Sequence, residues 1–489
     1  MSPYKDFIAR LKLLISKNPH LITTTLSNIF TMRLIGNKTH GDLAEIAIAE
    51  FINQFMYDFK SVHVGKELYR AKEREEDIKI INEITKAEFP VSLKAYGDGP
   101  LQLSTDKQFQ MSTQTLNLFA DLVVDAPKTE GIKYAGSKLK LLPHILQLVQ
   151  KVKPRTVLDG FSGTTRVSQA LAQTGHRVIA NDLSAWSEVF GKCYLLNTHP
   201  LEHYQSLIDH LNALPGRDGW FTENYGGEPN SGCSVSDDGL KKPWQKHNTR
   251  RLDAIREEID RLTLTDVERA VLLASLVLGL DEVESTLGHF ASYLNDWSPR
   301  SYNKLQLQVP RLLPRQESHS VHRGDIFDLL PRVEADLAYF DPPYGSNNEK
   351  MPPSRVRYAA YYHLWTTICL NDKPAIFGKA KRRVDTSDKV ACSAFEEFRK
   401  SSGGRFMVIE AIERLLQATR ARHIILSYSS GGRATAEELN EVISSVGQVL
   451  EVLEVDYRKN VMAGMRWTNE WIAEAEVPNK EFLFLIEKA

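Results

Sequence analysis

The chain has 489 residues, 42% hydrophobic and 25% charged, with a net charge of −1. This is the composition of a soluble globular protein with room for two to four domains. It excludes a molecule-wide basic field, so any contact with nucleic acid must rest on local patches. Four cysteines, Cys193, Cys233, Cys369 and Cys392, are scattered with no CxxC pair, which argues against a zinc site or a disulfide frame. The N-terminus lacks a signal-peptide apolar core, and the longest apolar segment, Ala270 to Leu280, is too short to span a bilayer. A cytoplasmic location without membrane contact is the expectation.

Residues 1–36 are predicted helical, with Phe7, Leu11, Leu14 and Ile15 on one apolar stripe. Leu43, Ile46, Ala47 and Phe51 mark a second amphipathic helix that carries Glu45 and Glu50. A charged stretch from Lys66 to Lys79 contains Asp77. Phe89 to Leu93 reads as a strand leading to Lys94, and Gly97-Asp98-Gly99 as a hairpin turn. The order acidic helix, Asp77, Ser92-Leu93-Lys94 resembles the PD-(D/E)xK fold of restriction endonucleases. That resemblance implies that Asp77 holds Mg²⁺, that Lys94 positions or activates the attacking water, and that Glu45, with Glu50 behind it, supplies the second acid. No proline precedes Asp77, and Ser92 stands where the second acid belongs. An inactive nuclease fits equally, as does a solvated run of charge at Glu75 to Asp77. Residues 106–130 are expected to form a helix and then a linker, closing an α+β domain at about residue 125.

From residue 126 strands and helices alternate. KYAGSK, 133–138, is a turn leading into a helix. Thr156 to Leu158 form a strand, Asp159 to Gly163 a glycine-bearing turn with Phe161 and Ser162 in it, and Val167, Ala170 and Leu171 the apolar face of a helix. A strand, glycine turn and helix in succession let backbone approach a ligand closely. The absence of GK[ST] excludes a P-loop. The strand His176 to Ala180 runs into Asn181-Asp182. A carboxylate there suits a ribose diol, since it accepts from both hydroxyls, and suits equally the N-cap of a following helix.

The alternation stops over residues 201–318. His199 to Leu214, Arg251 to Leu262 and Asp266 to Leu280 are predicted helices, the last of them core. Between them WFTENYGG and KKPWQKHNTRR mix aromatics with charge. Lys241, Lys242, Lys246, Arg250, Arg251, Arg300 and Lys304 suit phosphate contact, and Lys379, Lys381, Arg382 and Arg383 form a second basic run beyond it, opening a segment, Phe377 to Lys400, predicted to turn helical.

The chain returns to the sheet at Gly324-Asp325-Ile326 and then at DLAYFDPPY, 336–344. The apolar run Leu337 to Phe340 has the length of a buried strand, and two prolines forbid its continuation. Asp341, Pro342, Pro343 and Tyr344 therefore stand at the carboxyl end of a strand, with the aromatic expected exposed. Open α/β sheets bind ligands at that end. His423 to Gly432 reads as a further strand and turn, and Val449 to Tyr457 with Glu481 to Ile486 as a closing antiparallel hairpin.

The order KYAGSK, glycine turn, Asp182, long insertion, Gly-Asp, DPPY and Ser-Tyr strand resembles the alpha-class, Dam-like DNA adenine-N6 methyltransferases over residues 130–489. The resemblance implies a Rossmann-like S-adenosylmethionine-dependent α/β domain in two halves, 126–200 and 319–489, with a helical target-recognition insertion between them. It implies that Tyr134 and Lys138 lie against the methionine end of the cofactor, that Asp159, Phe161, Ser162 and Gly163 form its turn, and that Asp182 takes its ribose. Asp325 and Ile326 would bracket its adenine, Asp325 serving equally as a helix cap. Asp341 and the Pro342 carbonyl would accept the N–H bonds of a flipped adenine and Tyr344 would stack on it. Tyr361, Tyr362 and His363 match a run in relatives, His363 as a packing or orienting group. The implied activity is methyl transfer to adenine N6 in double-stranded DNA within a restriction-modification system. A single chain that also cuts DNA with Mg²⁺, a non-catalytic DNA-binding protein, and a cytosine N4 or RNA substrate remain open on the residues alone.

Overall fold

A computed structural model describes residues 126–229, 232–313, 318–344, 357–387, 393–397, 399–456 and 480–488. In the first 125 residues it describes 10, 14, 49, 52, 53, 56, 58–63, 78–83, 85–94, 102–104, 116 and 117. Contacts divide the chain into two units, Met1–Asp125 and Ala126–Ala489.

The first unit holds a five-stranded antiparallel sheet in sequential order: β1 (Phe59–His63), β2 (Ile78–Asn82), β3 (Glu88–Lys94), β4 (Gln102–Ser104) and β5 (Leu116–Asn117). Ala49, Ile52, Phe59 and Ile80 are buried. β1 is an edge strand, and the Asn53 amide satisfies part of that edge. It donates to the Ser61 carbonyl at 3.0 Å and accepts the Ser61 N–H at 2.7 Å. Leu116–Asn117 pairs with Gln102 and Leu103, so these two residues form a strand within the stretch 106–130 expected to be a helix and then a linker; 106–115 and 118–125 lie outside the described residues. Cross-strand pairing there overrides a local pattern that reads as helical. Glu45 and Asp77 lie outside the described residues. Ser92 and Lys94 lie in β3, opposite Ser104 and Gln102.

The second unit is built on one seven-stranded sheet. Its strands are β6 (Thr156–Asp159), β7 (Arg177–Asp182), β8 (Ser320–Arg323), β9 (Ala335–Phe340), β10 (Ala421–Ser429), β11 (Gly447–Asp456) and β12 (Lys480–Lys488), in the order β8-β7-β6-β9-β10-β12-β11. The first five are mutually parallel, and β12 runs antiparallel between β10 and β11. This is a Rossmann-like sheet with a reversed closing hairpin. Strand order turns back between β6 and β9, where Tyr339 pairs with Asp159. The carboxyl ends of those two strands are thus neighbours at the switch point, where such sheets open a crevice.

The helices are α1 (Leu142–Val152), α2 (Arg166–Gln173), α3 (Ala185–Gly191), α4 (Leu201–Ala213), α5 (Trp220–Tyr225), α6 (Lys246–Arg261), α7 (Asp266–Glu282), α8 (Ile326–Leu329), α9 (Tyr358–Tyr361), α10 (His363–Leu370), α11 (Met407–Ala418) and α12 (Ala436–Val446). α7 opens with a capping box between Thr265 and Glu268. Its Val271, Leu272, Leu276 and Leu280 are buried in one cluster with Trp244, Phe290, Leu364 and Trp365 and with Trp186 and Phe190, so the core of the insertion is continuous with α3 and α10. Phe377 to Lys400 departs from the helix expected there. Its described residues form a two-residue ribbon, Ile376–Phe377 with Arg382–Arg383, and single 3-10 turns. Arg383 joins Asp372 and Asp385, clasping the segment across the ribbon instead of along a helix face. Among the described residues no helix is long and apolar enough to cross a membrane.

Candidate active site

A cavity of about 440 Å³ opens at the switch point and is lined by the turn after β6, the ends of β7 and β9, and the loop before α1. Asp159 ends β6 and is fully buried. Its Oδ2 accepts from Ser168 Oγ at 2.6 Å, while Oδ1 has no partner. Burial pushes this carboxyl up to about 7, against the Ser168 hydrogen bond. The next residue must be small, because a Cβ on Gly160 would lie 2.6 Å from the Phe340 ring. Gly163 adopts a φ of +47° and donates its N–H to Asp182 Oδ2 at 2.9 Å, while Ser184 N donates to Oδ1 at 2.8 Å. Asp182 is therefore both a local cap and a wall of the cavity, its carboxyl raised chiefly by burial.

Phe161 meets Phe395 edge-on at 5.1 Å, and Ile326 lies buried beside Gly160. Asp325 lines the cavity and also caps α8, accepting the Phe327 N–H at 2.9 Å. Leu183, 54% exposed, lines the cavity between Asp182 and Ser184. Sequence reasoning passed over it, although a large apolar residue directly after a strand-end carboxylate was a usable signal. Tyr134 packs against Tyr362 at 4.7 Å and Trp186 at 5.5 Å.

At the end of β9 the cavity meets a cluster of charge. Lys138 Nζ, on a side chain 7% exposed, lies 2.9 Å from Asp341 Oδ1 and 2.7 Å from Glu481 Oε1. It also donates to the Tyr344 hydroxyl. That hydroxyl lies 2.6 Å from Glu481 Oε1 and 3.1 Å from Asp341 Oδ1, and Ser427 Oγ donates to Glu481 at 3.0 Å. One buried cation thus serves two carboxylates. Burial raises Asp341 to about 6, with Lys138 pulling the other way and Glu481 adding to the rise. Burial opposes the charge on Lys138, but Asp341 and Glu481 outweigh it and leave the ammonium more basic than usual.

One expectation changes here. Tyr344 is half-buried, not exposed, because its hydroxyl is drawn into the cluster and its ring packs on Tyr428 at 5.0 Å. Lys138 lines the cavity, but its charge is spent on the carboxylates at the end of β9 and the start of β12. Glu481 was missed altogether as a site residue. β12 is antiparallel to the five parallel strands, so its first residues lie at the edge where those strands end, with Glu481 opposite Ser429.

His363 is buried, donates from Nε2 to the Phe290 carbonyl at 3.2 Å, and is depressed to about 3 by burial. It packs, as expected, with Tyr362 OH accepting the Ala135 N–H at 2.7 Å and Tyr361 stacked on His289. The basic residues divide. Lys242 is buried against Asp238 at 2.6 Å, and Arg251 donates to the carbonyls of Leu305 and Asn212. With Arg383 held by its two aspartates, these three are structural, a correction to the expected phosphate-contact set. Arg300 is ion-paired with buried Glu284. Lys246 pairs with Glu228 at 3.0 Å, Arg250 with Asp218 at 3.2 Å, and Lys381 lies 3.7 Å from Asp238. Arg382 stacks over Phe377, Lys241 is half-buried, and Lys304 and Lys379 are exposed.

Residues 134–428 match the family model of D12 class N6 adenine-specific DNA methyltransferases. Among named relatives, the modification methylase StsI of Streptococcus sanguinis is 26% identical over 351 residues, which cover 67% of this chain and 48% of that protein. The type II methyltransferase M.FokI of Planomicrobium okeanokoites is 26% identical over 354 residues, 67% of this chain and 49% of its own. M.NlaIII of Neisseria lactamica is 25% identical over 337 residues, 67% of this chain and 92% of its own. The chain spans about half the length of the first two.

Proposed function

Since the chain belongs to the family of D12 class N6 adenine-specific DNA methyltransferases, we propose that it transfers a methyl group from S-adenosylmethionine to adenine N6 at a specific site in double-stranded DNA, within a restriction-modification system. The observation that carries this reading is Asp341, a half-buried carboxylate in a rigid Pro-Pro turn that shares one cavity with the Asp159–Gly163 turn.

The cavity fits the cofactor. The unpartnered Asp159 Oδ1 calls for a donor or a cation, which the ammonium or the sulfonium of the cofactor offers. Asp182 keeps lone pairs for two hydroxyls after accepting two backbone N–H groups. Bound there, S-adenosylmethionine supplies an electrophilic methyl group.

The rest is the work of the chain. An adenine amino group is a weak nucleophile because its lone pair is delocalised into the ring. Asp341 and the Pro342 carbonyl accept its two N–H bonds and favour a more tetrahedral nitrogen. The prolines hold both acceptors in place before the base arrives. The Lys138 ammonium and the Tyr344 hydroxyl both meet Asp341 at Oδ1, so an amino group that takes this oxygen displaces the ammonium from it. The half-exposed edge of Tyr344 offers the ring on which that base stacks. The insertion reads sequence, with Lys241, Lys246, Arg250, Arg300, Lys304, Lys381 and Arg382 as the groups offered to phosphate.

The test uses full-length protein, unmethylated DNA, S-adenosylmethionine and EDTA, followed by modification-sensitive sequencing. N6-methyladenine at one recurrent sequence, absent with Asp341→Asn, is the expected result. N4-methylcytosine, or no mark from folded protein, would overturn the reading.

A further inference from the structure

Glu481 lies beyond the part of the chain that matches the family, 134–428, and so has no role by membership. Its Oε1 nevertheless gathers three donors: Lys138 Nζ at 2.7 Å, the Tyr344 hydroxyl at 2.6 Å and Ser427 Oγ at 3.0 Å. The Glu481 side chain is only 7% exposed, as is that of Lys138. Two of the three donors belong to the set around Asp341.

Lys138 and the Tyr344 hydroxyl meet Asp341 at one oxygen, Oδ1, and a target amino group that takes that oxygen exchanges places with the ammonium. A buried ammonium with one carboxylate partner would be left uncompensated by that exchange, a strongly unfavourable state. With two partners, Lys138 gives up one and keeps the other. The same holds for the Tyr344 hydroxyl, whose single proton has Glu481 as its nearer acceptor. We infer that Glu481 is a positioning residue that retains the Lys138 ammonium and the Tyr344 hydroxyl while Asp341 passes to the amino group of the target base. The inference rests on the methyltransferase reading.

Glu481 acts through Lys138, and that makes the test specific. In full-length protein, Glu481→Gln strands Lys138 on Asp341. Methylation kcat/KM should fall on the order of 10- to 100-fold, with S-adenosylmethionine affinity kept within about threefold. In a Lys138→Met background the same substitution should cost clearly less than in the wild type, because only the Tyr344 hydroxyl is left for Glu481 to hold. A second readout needs no activity. Glu481 makes Lys138 more basic, so acetylation of Lys138 at fixed pH, followed by mass spectrometry, should quicken in Glu481→Gln. Melting curves show that each variant is folded. Wild-type kcat/KM in folded Glu481→Gln, additive losses in the double variant, or unchanged Lys138 labelling would each overturn the inference. A wild-type protein that methylates nothing removes the methyltransferase reading, and the labelling still decides whether Glu481 holds Lys138.

Discussion

Replacing Lys138 by methionine removes the one cation from a cluster that contains two carboxylates, Asp341 and Glu481. Methionine keeps most of the volume, so the loss is electrostatic. Breaking a buried pair by deleting one partner costs about 3–5 kcal/mol. For the unit Ala126–Ala489, an unfolding entropy of about 2.1 cal/mol/K per residue converts this to a Tm lower by about 4–7 °C at pH 8. The pH dependence gives the sharper check. Asp341 is already raised to about 6 in the folded protein, above its ordinary value, and Lys138 holds it down from a higher one. In the variant the folded state takes up a proton at higher pH, while the unfolded chain is unchanged. Proton uptake by the folded state favours folding as pH falls. The gap between variant and wild type should therefore shrink on going from pH 8 to pH 5.5. Scanning calorimetry or circular dichroism melts at both values measure it. An equal gap at the two pH values would refute the assignment of the loss to uncompensated charge.

Asp182→Ala removes a carboxylate that accepts from two backbone N–H groups and faces the cavity; S-adenosylmethionine Kd should rise about 10- to 100-fold by calorimetry, the size of a charged hydrogen bond. Gly160→Ala places a Cβ 2.6 Å from the Phe340 ring and 3.3 Å from Ile326 Cδ1; overpacking of about 1–3 kcal/mol is expected, read as a lower Tm together with weakened cofactor binding. Asp341 accepts an N–H bond far more strongly when ionised and is raised to about 6 amid Lys138, Tyr134, Asp159, Tyr339, Tyr344, Tyr358 and Glu481. The kcat/KM of methylation should accordingly fall on the acid side with a midpoint near pH 6, and a flat profile down to pH 5 would count against that role.

The parts of the site that could be read from sequence are those built from consecutive residues. Asp159, Asp182 and Asp341 each follow an apolar run, and each stands at a strand end because the run before it can only be a buried strand. Glu481 stands 137 residues beyond Tyr344. The strand it begins was legible, but its direction within the sheet was not, and direction alone decides whether its first or its last residue reaches the site. The basic residues failed for a related reason. Composition records that Arg251, Lys242 and Arg383 are charged, but not that backbone carbonyls or aspartates consume them. The strand at Leu116–Asn117 was hidden because its stability comes from the neighbour at Gln102 and Leu103, not from its own two residues.

The insertion leaves the sheet after β7 and returns in β8, and these two strands are hydrogen-bonded neighbours, with Ser320 beside Ile179. The excursion therefore starts and finishes at adjacent points, and the sheet is indifferent to its length. Lineages could trade this loop for another with no strand displaced. Its inner face sets the limit of the trade: Arg256, 3% exposed, donates to the carbonyls of Ile368 and Cys369 in α10. A transplant cut at the strand ends alone would strip that guanidinium of both carbonyls and leave it only Asp260 of its own helix, and one that carries α10 along would still have to fit Trp186 and Phe190 of α3.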